Sequence, residues 1–543
     1  MTHEQVERER TFALAEEEAL PRLEGLLEVG ETVEHRMRAV YLDTTDLLLI
    51  RHRITLRRRE GGPDEGWHVK LPRPDGSRLE LHSPLTRGPG RTRVPDGHLR
   101  AVVAALGTDW PTGLDATLLP VATLITHRTQ TELMDDRGSV VATLCDDRVT
   151  ALPEERRWRE LEVELVPTAT DDALLDAVTD RFAAQGVVPA DSPSKLARAL
   201  GKRPDRAARG QGLRPRDPAA AVLHAYLAAQ VAAVVGREED LQADAPDAVH
   251  KARVGTRRLR SALRTFDRLL DREVTDPLRD EVAWLAGLLG APRDAEVVRD
   301  RVLGRLESLP ADLLVGDVVD SARASLDKEH ARAHDALRAG MDSDRYLELT
   351  DALLDLLADP PWRARARQRA DEVLPSLVEQ AVERVARSVR ATRPFDGPGD
   401  AGGRDDPASR DDPGDGSGGD DPAGRDDPED PGGLGDPGAL GALHDRHETR
   451  KRAKAARYGW EALVPALGPV AEESARRWEE VTEALGELQD VVVTRERLLE
   501  LAAVAGSDGV PSFSLGVVAG DDGARVPDLV ARGDDAVDRA LRR

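Results

Sequence analysis

The feature that most constrains this chain is a motif written twice. His250-x-x-Arg253-x-x-x-Arg257-x-x-Arg260 returns as His447-x-x-Arg450-x-x-x-Lys454-x-x-Arg457 with the same spacing. Each copy is followed by a second signal, Leu289-Gly290-x-x-Arg293-Asp294 and Leu485-Gly486-x-x-Gln489-Asp490, at His-to-Gly intervals of 40 and 39 residues. A duplicated unit in register has to fold as two equivalent halves. Offsets of 0, 3, 7 and 10 at about 100° per residue fall within an arc of about 80°, so each copy sets one His and three cations on one helical stripe. Arg264 extends the first stripe, and Lys451 flanks the second. Solvated helix faces mix charge signs at i,i+4 to gain a few tenths of a kcal/mol. Here Arg253, Arg257, Arg260 and Arg264 repel one another. The chain has only seven lysines, and Lys251, Lys451 and Lys454 lie in these blocks. A repeated cationic stripe of this kind reads as a receptor for a long polyanion.

A net charge of −24 runs against that reading until its distribution is seen. Residues 394–440 hold 14 Asp/Glu and 3 Arg among Gly and Pro, with Arg-Asp-Asp-Pro recurring at Arg404, Arg410 and Arg425. Such a segment buries too little apolar area to offset its chain entropy and reads as a disordered insert. With aromatics at 3% the stacking platforms of base recognition are missing, so nucleic acid is not the expected partner. No run approaches the ~18 apolar residues of a membrane span, and Met1–Arg10 lacks an apolar signal core. Cys145 is the sole cysteine, which fits a reducing cytoplasm.

The first 200 residues read differently. Short strand-like runs alternate, and their polar members are charged where a half-buried sheet would use Ser or Thr. Glu7 and Glu9 share a face, as do Arg57 and Arg59, His68 and Lys70, and Arg78 and Glu80. Arg128 and Asp146 follow in later strands, and Glu160, Glu162 and Glu164 close the series. In a closed barrel such faces line a lumen. Carboxylates suit hard divalent cations such as Mg2+ or Mn2+, and the Arg/Lys set suits phosphates.

Glu7-Arg-Glu9, Tyr41-Leu-Asp-Thr44, Leu56-Arg57-Arg-Arg59, Trp67-His-Val-Lys70, Arg78-Leu-Glu80, Asp146-Asp147-Arg148, Glu160-Leu-Glu162-Val-Glu164 and Ser194-Lys195 together resemble the CYTH superfamily, the triphosphate tunnel metalloenzymes. The two histidine-and-basic blocks, His250–Arg264 and His447–Tyr458, resemble the CHAD domain, the conserved-histidine α-helical domain. The order resembles a CYTH–CHAD fusion. The resemblance implies an α+β chain: an eight-stranded antiparallel β tunnel at 1–205, a linker at 206–216, and an all-α domain of two pseudo-symmetric helical bundles at 217–543, interrupted by the insert.

It further implies that two or three of Glu7, Glu9, Asp146, Glu160, Glu162 and Glu164 bind Mg2+ or Mn2+. Arg57, Arg59, Lys70, Arg78, Arg128 and Lys195 would hold a triphosphate. Arg253, Arg257, Arg260, Arg450, Lys454 and Arg457, beside His250 and His447, would bind inorganic polyphosphate. The implied activity is metal-dependent hydrolysis of inorganic triphosphate, since the lumenal rows offer no aromatic surface for a base. Alternatives are a non-catalytic polyphosphate-granule protein, or a thiamine triphosphatase or nucleotidyl cyclase. One position departs from the family's Glu-x-Glu-x-Lys opening: Thr11 stands where the lysine belongs, removing a cation beside the reacting phosphate.

Overall fold

The computed structural model describes residues 3–73, 78–107, 117–153, 155–166, 172–192, 194–208, 212–392, 437–507 and 510–542. The acidic insert lies outside the described residues except for 437–440, which open the helix Pro437–Leu467.

Nine strand segments form one antiparallel sheet: β1 (His3–Glu7), β2 (Glu9–Leu14), β3 (Glu28–Asp43), β4 (Thr55–Glu60), β5 (Gly66–Pro72), β6 (Arg78–Ser83), β7 (Leu119–Met134), β8 (Val140–Leu152) and β9 (Arg156–Leu165). Their spatial order is β1-β6-β5-β4-β3-β7-β8-β9-β2. The two outermost segments are consecutive in the chain, parted only by Arg8, whose carbonyl accepts from the Leu165 amide at 3.0 Å. β1 and β2 are thus one strand broken at Arg8, and the sheet is an eight-stranded one that curls back on itself.

Alternation decides what faces where. One set of side chains is apolar and is covered by helices. Phe12, Leu144, Leu161 and Val163 pack with Leu175, Val178 and Phe182 of the helix Ala173–Ala183. Leu56, Trp67, Val69 and Leu81 pack with Val102 and Leu106 of the helix Asp96–Leu106. The opposite set carries the charges. Asp43 belongs to neither: its buried carboxylate accepts from the amides of Thr44 (2.8 Å), Leu49 (2.8 Å) and Ile50 (3.0 Å) and fixes the turn after β3. Burial pushes its pKa up to about 6, against those hydrogen bonds.

The chain separates into two compact units. The first comprises 1–255, 268–278 and 339–367; the second comprises 256–267, 279–338 and 368–543. In the first unit the buried Asp351 carboxylate, on the helix Asp344–Ala358, accepts from the amides of Gly90, Arg91 and Thr92 at 2.8, 3.2 and 3.0 Å. The helix Ala219–Val235 also belongs here. Together with the residues up to Gln242 it is long and apolar enough to cross a membrane by length and composition, contrary to the expectation from sequence, yet Val222, Leu223, Leu227 and Val231 are buried in the fold and His224 donates to the Leu357 carbonyl at 3.0 Å. Among the described residues the second unit is built of helices, with long elements at Pro469–Ser507 and Phe513–Leu541. One of its cores joins Val302, Leu306 and Leu326 to Leu498, Leu515 and Val518. Another joins Val385, Ala453 and Ala456 to Trp478, Leu485 and Val537.

Candidate active site

Strand register brings charges of seven strand segments, β2 and β4–β9, onto one face. Arg57 lies opposite Tyr41 and His68, and Thr55 opposite Lys70. Lys70 lies opposite Glu80, Arg128 opposite Asp147, and Asp147 opposite Glu160. Glu162 lies opposite both Cys145 and Thr11, and Glu164 opposite Glu9. Glu7 pairs by backbone with Arg78, but its side chain lies outside the described residues.

Two neighbouring regions differ in sign. In the acidic one, Asp147, Glu160 and Glu162 each present an oxygen within 4.8 Å of the other two. Lys195, the first residue of the helix Lys195–Leu200, sets its Nζ 3.0 Å from Asp147 and 2.9 Å from Glu160, and donates to Glu162. Arg128 donates to both Asp147 oxygens at 2.7 Å and to Glu162 at 2.6 Å. Burial alone would raise the Glu162 carboxyl, but Lys195 and Arg128 overcome it and hold the group far below its ordinary value. Burial likewise disfavours the Lys195 ammonium, yet Glu162, Asp147 and Glu160 hold its pKa well up. Trp158 Nε1 donates to Glu160 at 2.7 Å. Three carboxylates that converge in this way offer hard oxygen donors to a divalent cation.

In the basic region, burial, followed by repulsion from Arg57 and Arg128, lowers Arg59 to about 9. Arg59 donates to the Asp64 carbonyl at 3.0 Å and pairs with the Asp64 carboxylate. Glu80 lies 3.8 Å from Arg57 and 4.0 Å from Lys70. His68 bridges Glu80 (Nδ1, 2.8 Å) and the Asp64 carbonyl (Nε2, 2.9 Å). Burial, with Arg57 and Arg59, pushes the His68 imidazolium well down. Guanidiniums crowded together under partial desolvation form a receptor whose repulsion an anion relieves.

Several sequence expectations change here. Asp146 does not join the carboxylates. It continues the outward row of Ala142 and Leu144 and is held by Arg159 at 2.8 and 2.9 Å, which itself donates to the Glu16 and Glu18 carbonyls. Asp147, one residue on, takes the inward place. His68 and Glu80 were visible as charged faces, but their mutual contact was not. The lumen is also not free of aromatics. Tyr41 and Trp158 face inward, though both are buried and covered, Tyr41 by Arg57 at 5.9 Å and Trp158 by Arg198 at 5.2 Å. The Cys145 thiol, buried beside Asp147 and Glu162, is pushed up to about 12.

The helix Ala248–Thr265 carries the first stripe, with His250 and Arg264 exposed and Arg253, Arg257 and Arg260 half-buried. In the second unit the two repeats meet at Tyr458. Its hydroxyl accepts from Arg257 Nε at 2.9 Å, and Arg257, Arg258 and Arg457 lie 5.5–5.9 Å from its ring. Glu461 takes Arg258 and Arg457, each at 2.7 Å, and Arg457 also reaches Glu479 at 2.5 Å. Lys451 pairs with Glu448 at 3.2 Å. His447 contacts Gln489 at 3.2 Å, and a Cβ at Gly486 would lie 3.3 Å from the Arg450 guanidinium. The Leu-Gly-x-x-Gln-Asp signal therefore backs the second stripe. Lys454 is half-buried on the same helix.

Two family models match the chain in consecutive stretches. The family model described as CHAD domain matches residues 225–499, and that described as CYTH domain matches residues 5–200. A protein of Mycobacterium tuberculosis, described as uncharacterized in strains CDC 1551 / Oshkosh and ATCC 25618 / H37Rv, is 33% identical over 561 residues, covering 99% of this chain and 96% of its own. PptA from Streptomyces chartreusis is similar in structure with a TM-score of 0.43 and 22% identity, over 59% of this chain and 99% of that one. The CHAD domain from the plant Ricinus communis gives a TM-score of 0.41 and 20% identity, over 61% and 93%. Both scores lie below 0.5, so the assignment rests on the sequence matches.

Proposed function

The chain belongs to the CYTH–CHAD proteins, and from that premise we propose that it hydrolyses inorganic triphosphate inside the curled sheet and binds inorganic polyphosphate with its helical part. The observation that carries the reading is the adjacency, on one face, of three convergent carboxylates and a crowded Arg/Lys set. Asp147, Glu160 and Glu162 would hold Mg2+ or Mn2+, which when bound neutralises phosphate oxygens and acidifies a water. Arg57, Arg59, Lys70, Arg78 and Arg128 bind the remaining phosphate oxygens and stabilise charge as the terminal phosphoryl leaves. Glu80, itself in contact with His68, orients Arg57 and Lys70. Cys145 takes no part, because a thiol held at about 12 is not a nucleophile at neutral pH.

The test is phosphate release from inorganic triphosphate, thiamine triphosphate and ATP, with Mg2+, Mn2+ or EDTA. The reading expects turnover of inorganic triphosphate that EDTA abolishes, and fails if no substrate is turned over with either metal. A preference for ATP would favour a nucleotide enzyme. A second reading, polyphosphate binding without catalysis, draws on the Lys195 ammonium seated on the carboxylates and on Thr11.

For the helical part, contacts between phosphates and arginine make affinity fall steeply with salt. Removing Arg253 with Arg257, or Arg450 with Lys454, should weaken long chains more than short ones, because a chain spanning both stripes loses its effective concentration. Equal binding of long polyphosphate by parent and both double variants would refute it. Action on polyphosphate granules in the cytoplasm is the setting this reading favours.

A further inference from the structure

The Lys195 ammonium sits at the point where three carboxylates converge. Its Nζ is 3.0 Å from Asp147 Oδ2 and 2.9 Å from Glu160 Oε1, and it donates to Glu162 Oε1. An ammonium has three N–H donors, and here three acceptors surround it. The same carboxylates form the group whose oxygens lie within 4.8 Å of one another. A divalent cation bonding these oxygens at roughly 2.0–2.2 Å would need the space Nζ fills. The two cannot be there together.

The choice of residue points the same way. Of 77 Lys and Arg in the chain, seven are lysines. A guanidinium is a planar fork, suited to a bidentate carboxylate, as Arg128 is to Asp147. A compact point charge on a flexible stem is what fits a tripod of oxygens and can leave it again. The backbone beneath is fixed. Ser194 Oγ caps the helix Lys195–Leu200 by accepting from the Ala197 amide at 3.1 Å, and Leu196, Ala199 and Leu200 pack against Tyr41, Val149 and Trp158. Only the side chain has to move. Arg128 need not follow it: it holds Glu162 through the other oxygen, Oε2, and although it shares Asp147 Oδ2 with the ammonium, at 2.7 Å, a carboxylate oxygen has a second lone pair for the incoming ion.

We propose that Lys195 is an internal stand-in for the metal, which keeps the three carboxylates closed until a triphosphate draws the ammonium onto its own oxygens and opens them to the divalent ion. Triphosphate and metal then bind with positive coupling, and one side chain carries it. This rests on the metal site of the proposed function. It goes beyond a phosphate-binding role for Lys195, which by itself predicts no effect on metal binding in the absence of phosphate.

The experiment measures Mn2+ binding to the full-length chain, without phosphate, by the loss of the free-ion paramagnetic resonance signal. Lys195→Met and Lys195→Gln are compared with the parent. Both variants should bind Mn2+ tighter, on the order of 10- to 100-fold, and Mn2+ should raise their melting temperatures more than the parent's. Binding of imidotriphosphate in EDTA, measured by calorimetry, should weaken in both. Opposite movement of the two affinities is the signature, because a merely structural lysine would weaken both. Unchanged or weaker Mn2+ binding in the folded variants overturns this inference and leaves the proposed function standing. Failure of parent and variants alike to bind Mn2+ overturns the metal site itself. Should Lys195→Met not fold, Lys195→Gln, which keeps polar atoms for the carboxylates to meet, decides the matter alone.

Discussion

Two adjacent aspartates should fail in opposite ways when neutralised. Asp146 and Asp147 have the same chemistry and are both buried, but they face opposite sides of β8. Asp146→Asn removes the carboxylate bidentate to Arg159 and leaves the buried guanidinium to backbone carbonyls, those of Glu16 and Glu18 among them, for its hydrogen bonds among the described residues. Breaking such a pair from one side costs about 3 kcal/mol or more. For a unit of this size that lowers Tm by roughly 2–4 °C per kcal/mol, hence about 6–12 °C. Asp147→Asn turns three carboxylates facing two cations into two facing two. Arg128 keeps Glu162, and Lys195 keeps Glu160 and Glu162, so the loss should be nearer ~1–2 kcal/mol. Metal binding should split the other way. Outer-shell changes alone shift metal affinity by about 10–100-fold, and losing a ligand should weaken Mn2+ at least that much. Asp146→Asn should leave it within about twofold, inside the scatter of a site not touched. Calorimetric Mn2+ titration beside thermal melts reads both quantities. If Asp146→Asn abolishes Mn2+ binding while Asp147→Asn keeps it, the face assignment of β8 is wrong.

Thr11 stands opposite Glu162, on carboxylates that already carry Lys195 and Arg128; Thr11→Lys adds a third cation and should weaken Mn2+ binding without raising turnover, so a gain of about tenfold in kcat, equal to about 1.4 kcal/mol, would show that a cation is missing there. Cys145 should resist a thiol reagent in the native chain at pH 8 and react on unfolding in urea; rapid native labelling would contradict its burial. Asp43, raised from 3.8 to about 6, binds more protons folded than unfolded between those values. Its stabilising contribution is therefore complete below about pH 4 and is lost as pH rises through about 6, a swing of about 3 kcal/mol. Urea titrations from pH 4 to 7 should show that slope in the parent and not in Asp43→Asn, and identical profiles would refute it.

Much of the site was legible because strand alternation is a local property. Arg57 with Arg59, Glu160 with Glu162, and Arg78 with Glu80 share faces whatever the sheet does around them. Asp146 was misread because two successive acids satisfy the same motif, and parity has to be counted from a neighbour known to be core. Ala142 and Leu144 were that marker, and they put Asp146 outside. The meeting of Lys195 with Asp147 brings together residues 48 positions apart, and no period or spacing encodes it. In the helices, the Arg457–Glu461 pair at i,i+4 was readable from sequence. The convergence of Arg257 and Arg258 on Tyr458, across 200 residues, was not.

On the proposed function, a chain of net charge −24 would hold polyanions because its cations act where water and counter-charges are limited. In the curled sheet the means is burial: Arg59 is lowered to about 9 because it is desolvated beside Arg57 and Arg128, and a bound phosphate relieves the same repulsion that lowers it. Carboxylates on that face do not cancel the effect uniformly. Glu80 serves Arg57 and Lys70, while Asp147 and Glu162 serve Arg128 and Lys195, so the positive set and the metal ligands share partners. In the helical unit the means is repetition, and there too acids stand among the bases: Glu461 and Glu479 hold Arg457 and Arg258. These pairs are half-buried, and each still has phosphate oxygens as alternative partners for its guanidinium. Their carboxylates thus hold the arginines in place before the ligand arrives. On this view, neutralising Glu461 should not simply strengthen polyphosphate binding by adding net positive charge. Glu461→Gln should release Arg258 and Arg457 from their shared partner, and the gain in charge is set against a loss of order in both guanidiniums. A polyphosphate titration of Glu461→Gln that shows severalfold tighter binding at every salt concentration would mean that charge alone governs the site, and that preorganisation around Tyr458 has no part in it.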